Sequence, residues 1–103
     1  VRAGAAISCV DVAACIRAHP EVRDVTVFGL PDERLGEVVT AMVYLRPDGR
    51  GADAEDIQAF AGQTLARYKV PAEILFADAP LPRGATEKID KKTVRAAILA
   101  ERS

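Results

Sequence analysis

Val22-Arg23-Asp24-Val25-Thr26-Val27-Phe28-Gly29-Leu30-Pro31-Asp32-Glu33-Arg34-Leu35-Gly36-Glu37-Val38-Val39-Thr40-Ala41-Met42-Val43-Tyr44-Leu45 is the stretch that decides the fold. It holds two runs rich in β-branched residues, separated by a segment that Pro31, Asp32 and Gly36 punctuate. Residues 22–29 read as a strand, with Val25 and Val27 on one face and Thr26 and Phe28 on the other. Residues 30–36 read as a loop and residues 38–45 as a second strand. In that second run Val39, Ala41, Val43 and Leu45 alternate with Val38, Thr40, Met42 and Tyr44. Both sets are largely apolar, which predicts a strand covered on both faces. The runs are close enough in sequence to pair as an antiparallel hairpin.

Upstream, residues 10–18 read as a helix that Ser8 can cap, with Asp11 in place of the Glu of a capping box. Cys9, Val12 and Ile16 make an apolar stripe with Cys15 beside it. His19-Pro20 ends that helix, because the residue before a proline is pushed away from helical angles. Downstream, residues 46–51 form the clearest turn. Asp53 then caps a second helix, and Glu55 and Asp56 suit the positive end of its dipole. Its buried stripe is read as Ile57, Phe60, Ala61 and Leu65. Tyr68-Lys69-Val70-Pro71 leads into a third strand over residues 73–77, and a loop over 78–88 carries Pro80, Pro82 and Gly84. A last helix starts near Asp90, with Val94, Ala97 and Ile98 facing inward. The order helix, strand, strand, helix, strand, helix implies an α+β fold, a small sheet of about three strands flanked by three helices.

A chain of 103 residues fits one domain with a modest core. Aromatic residues make up only 5%, with no Trp, so that core must be aliphatic. A net charge of −1 argues against a general nucleic-acid binder, which shows a clear basic excess. RNA recognition on an aromatic sheet surface is disfavoured for the same want of aromatics. Cys9 and Cys15 match no zinc spacing and sit well apart around one helix, so they read as core thiols in a reducing compartment. No run is long enough to span a membrane and no signal-peptide pattern opens the chain, which points to a cytoplasmic protein. A start at Val1 suggests a piece of a longer polypeptide.

The inventory for stand-alone catalysis is poor. There is one His and no Gly-rich phosphate loop, and His19 at a helix end has no evident catalytic partner. One segment departs from the average: Arg83, Lys88, Lys91, Lys92 and Arg95 stand against only Glu87 and Asp90. Lys91 and Lys92 fall in the first turn of the last helix, where cations oppose the dipole. The segment is arranged either to meet a phosphate or carboxylate or simply to form a solvated basic face. The second alternative would make the chain a non-enzymatic basic-patch binding module.

Leu81-Pro82-Arg83-Gly84-Ala85-Thr86-Glu87-Lys88-Ile89-Asp90-Lys91-Lys92 resembles the late signature of adenylate-forming enzymes, a proline and a short Thr/Gly-rich loop before Gly-Lys-Ile and a basic helix. Three further segments are similar to the family in order and spacing. They are Gly4-Ala5-Ala6-Ile7 with Asp11-Val12, the stretch from His19-Pro20 through Pro31-Asp32 to Gly36-Glu37, and Tyr68-Lys69-Val70-Pro71. Any one is weak, but four in register are specific. Glu87 stands where the family has Gly, and Ala5-Ala6 where it has Glu-Asn.

The resemblance implies the C-terminal domain of an acyl-CoA synthetase, inactive alone and completed by a large N-terminal domain. Such enzymes join an acyl or aryl carboxylate to ATP, with Mg2+ bound outside this domain, and then pass the acyl group from AMP to CoA. A related reading has a carrier protein supply the thiol. By the same analogy Lys88 is the catalytic lysine, whose ammonium meets the negative charge gathering on oxygens during adenylation. Ala3, Gly4, Ala5, Ala6 and Ile7 correspond to the loop that lines the thiol tunnel after the domain rotates. Their small side chains suit close approach of the backbone to the thiol arm. Lys69 and Lys91 are candidate contacts for CoA or phosphate.

Overall fold

The two β-rich runs pair as the alternation requires, and the rest of the chain covers them. In the computed structural model the described residues are 9–34, 36–49, 51–84 and 88–102, without the side chains of Tyr68 and Arg102. The elements are α1 (Cys9–Arg17), β1 (Val22–Asp32), β2 (Gly36–Leu45), α2 (Ala54–Gly62), a single 3-10 turn (Arg67–Lys69), β3 (Glu73–Phe76) and α3 (Lys91–Arg102). The strands form one sheet in the order β1-β2-β3. β1 and β2 run antiparallel, and β3 lies parallel to β2 with Ala41 opposite Ile74.

Both faces of the sheet are dry. Val25, Val27, Val39, Ala41, Val43 and Ile74 face Val12 and Ile16 of α1 and Ile57 and Ala61 of α2. On the other face Phe28 and Leu30 pack with Val94 and Ile98 of α3, and Met42 and Leu75 fill in beside them. This places two helices on one side and one on the other, as the doubly apolar strands predict. Cys9 and Cys15 are free and half-buried against the larger core. Cys15 Sγ lies 3.4 Å from the Thr64 hydroxyl.

Three expectations need correction. Residues 30–32 continue β1 and Gly36 opens β2, so the expected loop shrinks to a tight turn. Pro31 is tolerated in the ladder, opposite Glu37, because β1 is an edge strand and its missing N–H removes no inner bond. Gly36 takes φ 81°, a left-handed conformation that favours glycine. Ala97 is exposed, not inward-facing: α3 meets the sheet through Val94 and Ile98, with Leu99 at the flank. Leu65 lies past the end of α2 but still packs against the core, and its N–H donates to Ala61 O at 2.9 Å.

Caps and breakers act where the sequence puts them. The Asp53 carboxylate accepts from the Asp56 N–H at 2.8 Å, and Asp56 accepts from the Asp53 N–H at 3.1 Å, a reciprocal capping box. The Ser8 cap expected for α1 lies outside the described residues. His19, just past α1, accepts the Glu21 N–H on Nδ1 and sets its ring edge-on to Phe60, a structural role.

A bulge interrupts β1 near its start. Val22 pairs with Leu45 and Asp24 with Tyr44, leaving Arg23 as the additional residue. Val22 therefore joins the core under α1 and α2, while Asp24 keeps the face that Phe28 and Leu30 share with α3.

Candidate functional site

Asp24 is 3% exposed, a carboxylate that needs partners to be tolerated there. Leu81 donates its N–H to Asp24 Oδ2 at 3.1 Å. Arg83 forks over the same group, with Nη2 at 2.8 Å from Oδ1 and Nη1 at 3.3 Å from Oδ2. The Arg83 hydrogen bond, aided by the Leu81 N–H and opposed by burial, holds the Asp24 carboxyl below the usual carboxylate range. One positive charge of the basic segment is thereby committed to the fold.

Residues 82–84 pair antiparallel with residues 88–90. The Gly84 N–H donates to Lys88 O at 2.9 Å and the Asp90 N–H to Pro82 O at 2.8 Å, with Arg83 and Ile89 bridged antiparallel. Lys88 is exposed, on the returning limb of this small hairpin. No hydrogen bond or ion pair joins its ammonium to another described residue. Residues 85–87, Glu87 among them, lie outside the described residues.

Asp90 then starts α3. It accepts the Thr93 N–H at 3.2 Å and the Thr93 hydroxyl at 2.8 Å, and these bonds keep its carboxyl below the usual range. Its charge offsets the two lysines that follow it in the first turn. Lys92 is exposed, while Lys91 is half-buried and lines a groove of about 350 Å³ with Cys9, Val10, Arg17 and the edge of β1 at Val25 and Val27. Arg95 is drawn inward, its Nε donating to Gly29 O at 2.8 Å. The run of cations thus separates into Arg83 and Arg95, which tie the segment to β1, and Lys88, Lys91 and Lys92, whose ammonium groups form no hydrogen bond or ion pair with another described residue.

Lys69 lies apart from these. It ends the 3-10 turn before β3, the opposite edge of the sheet from β1. Its Tyr-Lys-x-Pro segment delivers Pro71 into the interior, and the Gln58 amide donates to Pro71 O at 3.0 Å. Ala3, Gly4, Ala5, Ala6 and Ile7 lie outside the described residues, although the chain enters α1 just after them at Cys9 and Val10, on the groove that Lys91 lines. Asp24 was not among the residues that the motifs marked. The signal was there in Arg23-Asp24, two consecutive charges inside an apolar strand.

The chain is similar to known proteins along most of its length. The model of the AMP-binding enzyme C-terminal domain matches residues 11–88. A crotonobetaine/carnitine–CoA ligase of Proteus mirabilis is 37% identical over 91 residues, which is 88% of this chain and 17% of that protein. An oxalate–CoA ligase of Arabidopsis thaliana is 39% identical over 93 residues, 90% of this chain and 18% of that protein. A Mycobacterium tuberculosis fatty acyl CoA synthetase superposes with a TM-score of 0.82 at 35% identity, over 92% of this chain and 18% of that one. The chain spans less than a fifth of the length of each of these proteins. The family model covers residues 11–88 and these relatives are more than 30% identical over most of the chain, so the chain belongs to the AMP-binding enzyme C-terminal domain family.

Proposed function

We propose that this chain is the small domain of an AMP-forming carboxylate–CoA ligase and works against a large N-terminal domain of the same polypeptide. The observation that carries the reading is Lys88: an exposed ammonium with no partner among the described residues, on a hairpin tied to the core at its base. In the first half-reaction a carboxylate oxygen bonds to the α-phosphorus of ATP, and pyrophosphate leaves with the electron pair of the broken P–O bond. Negative charge grows on the oxygens in flight, and the Lys88 ammonium stabilises it. In the second, a thiol sulfur bonds to the acyl carbon, AMP leaves with the C–O electron pair, and the thiol proton passes to water.

The names of the relatives favour CoA over a carrier-bound thiol, and acyl chains such as fatty acids among the carboxylates. The Ala3–Ile7 loop is assigned to the thiol tunnel, and Lys91, on the groove beside the entry to α1, to the phosphates of CoA. Lys69, on the far edge of the sheet, is the weaker of the two candidate phosphate contacts. The Mg2+ that accompanies ATP is assigned to the large domain, and the whole enzyme to the cytoplasm.

The test is Lys88→Ala in the full-length ligase. Carboxylate-dependent pyrophosphate exchange should fall about a hundred- to a thousandfold, the usual loss on removing one preorganised donor to a developing oxyanion. Transfer to CoA from a supplied acyl-adenylate should persist. Undiminished pyrophosphate exchange would refute the assignment.

A further inference from the structure

We propose that Asp24, acting through Arg83, is a positioning residue for Lys88 and thereby sets the rate of adenylation without touching a substrate. The proposal rests on the role given to Lys88 above. Asp24 and Arg83 are 59 residues apart in sequence, and their fork joins an edge strand to the base of the Lys88 hairpin. From the fork the geometry is short and directed. Arg83 bridges Ile89, the residue after Lys88, and its neighbour Gly84 donates to the Lys88 carbonyl at 2.9 Å. The backbone of Lys88 is therefore referenced to a buried carboxylate through one side chain and one pair of β-type contacts.

An ion pair that buries a carboxylate beneath a partly exposed guanidinium is a poor device for stability alone. Its desolvation offsets much of its attraction, and an apolar pair of like volume often serves as well. What the fork supplies is direction: two parallel N–H···O bonds fix a planar guanidinium in one orientation. Direction matters for an exposed lysine beside so short an antiparallel pairing, because an isolated two-stranded pair is marginal at best in water. A reacting group displaced by about 1 Å can lose on the order of a hundredfold in rate. The Leu81 N–H on the same carboxylate adds a third tie, on the chain just before the hairpin. Asp24 is thus the common anchor for both ends of the segment Leu81–Arg83 that launches it.

The experiment uses the full-length ligase with Asp24→Asn, Lys88→Ala and the double variant, and follows the two half-reactions separately. Asp24→Asn should lower kcat for pyrophosphate exchange by about ten- to a hundredfold with KM for ATP and carboxylate little changed. CoA transfer from a supplied acyl-adenylate should stay within about twofold of the parent, and serves as a folding control in the same protein sample. In the Lys88→Ala background Asp24→Asn should cost nothing further, because an effect exerted through an absent ammonium has nothing left to act on. Arg83→Lys keeps the buried charge compensated while losing the fork, and should show the same split if Asp24→Asn fails to fold. Where Lys88→Ala abolishes adenylation, three results would overturn the proposal: parallel loss of both half-reactions, an undiminished loss in the Lys88→Ala background, or normal adenylation in both Asp24→Asn and Arg83→Lys. Lys88→Ala that leaves adenylation intact removes the reading of Lys88 and this proposal with it. Lys88→Ala that abolishes adenylation while Asp24→Asn and Arg83→Lys spare it removes the positioning role alone.

Discussion

Val22 and Asp24 stand two residues apart on one strand yet face opposite sides of the sheet, because the bulge at Arg23 takes up the residue between them. The bulge allows Val22 to be buried under the first two helices while Asp24 meets Arg83. Inserting an Ala between Asp24 and Val25 would reverse the phase of the strand upstream and turn Val22 and Asp24 onto the wrong faces. Stranding a Val side chain or an ion-paired carboxylate should each destabilise the domain by about 2 kcal/mol or more. Arg23→Ala, at an exposed position, should change stability by no more than about 0.5 kcal/mol. Urea unfolding of the two variants checks the contrast, and equal stabilities would deny the bulge its structural role.

Asp24 should also leave a signature in acid. Its carboxyl titrates lower in the folded chain than in the unfolded one, whose Asp pKa is about 3.9. Unfolding therefore takes up a proton in acid, and the Asp24 contribution is whole above roughly pH 5 and is lost as pH falls through about 4 towards the folded value. Asp24→Asn should lower the melting temperature at neutral pH and flatten its decline below about pH 5, so that the curves of variant and parent converge in acid. Parallel curves across that range would mean that the pair does not govern acid stability.

Lys91 and Lys92 are controls for Lys88. They carry the same charge, but they lie on the first turn of α3 and not on the hairpin. Single alanine variants in the full-length ligase should lose only a small part of what Lys88→Ala loses in pyrophosphate exchange. Glu87→Gly should leave adenylation unchanged or faster, by removing a negative charge next to Lys88 in sequence. If the three lysine variants fall equally, the segment acts as a diffuse electrostatic patch and no single residue is catalytic.

The loop before α1 should separate the half-reactions in the opposite sense. Gly4→Leu in the full-length ligase places bulk where the thiol arm is proposed to pass. Pyrophosphate exchange should survive while thioester formation from acyl-adenylate falls. Loss of both would assign the loop to folding or domain closure.

The 103 residues alone should form no thioester. A lysine without a pocket to hold ATP and carboxylate supplies neither proximity nor orientation, which account for a large share of such rate enhancements. Incubation of the isolated chain with ATP, CoA and a panel of carboxylates should release no pyrophosphate. ATP-dependent thioester formation by this domain would overturn the proposed division of labour.

The sequence by itself determined what short-range physics controls. Alternation in residues 38–45 announced a strand buried on both faces, Asp53 announced a helix start, and His19-Pro20 announced a helix end. Each of these signals acts within a few residues, through side-chain period, a cap or a steric block. Likeness to a family singled out Lys88 as a candidate, and the excess of charge at a helix start singled out Lys91 and Lys92. The edge position of β1, which lets the strand run on through Pro31, could not be read locally, because it depends on which strand lies on the far side of β2. The exposure of Ala97 depends likewise on which line of α3 meets the sheet. The union of Asp24 with Arg83 is the extreme case: the two groups meet only after the sheet has formed, the bulge has turned Asp24 away from Val22 and the chain has returned across the face of α3. A contact across 59 residues carries no local signal, so the anchor of the Lys88 hairpin was decided by tertiary structure alone.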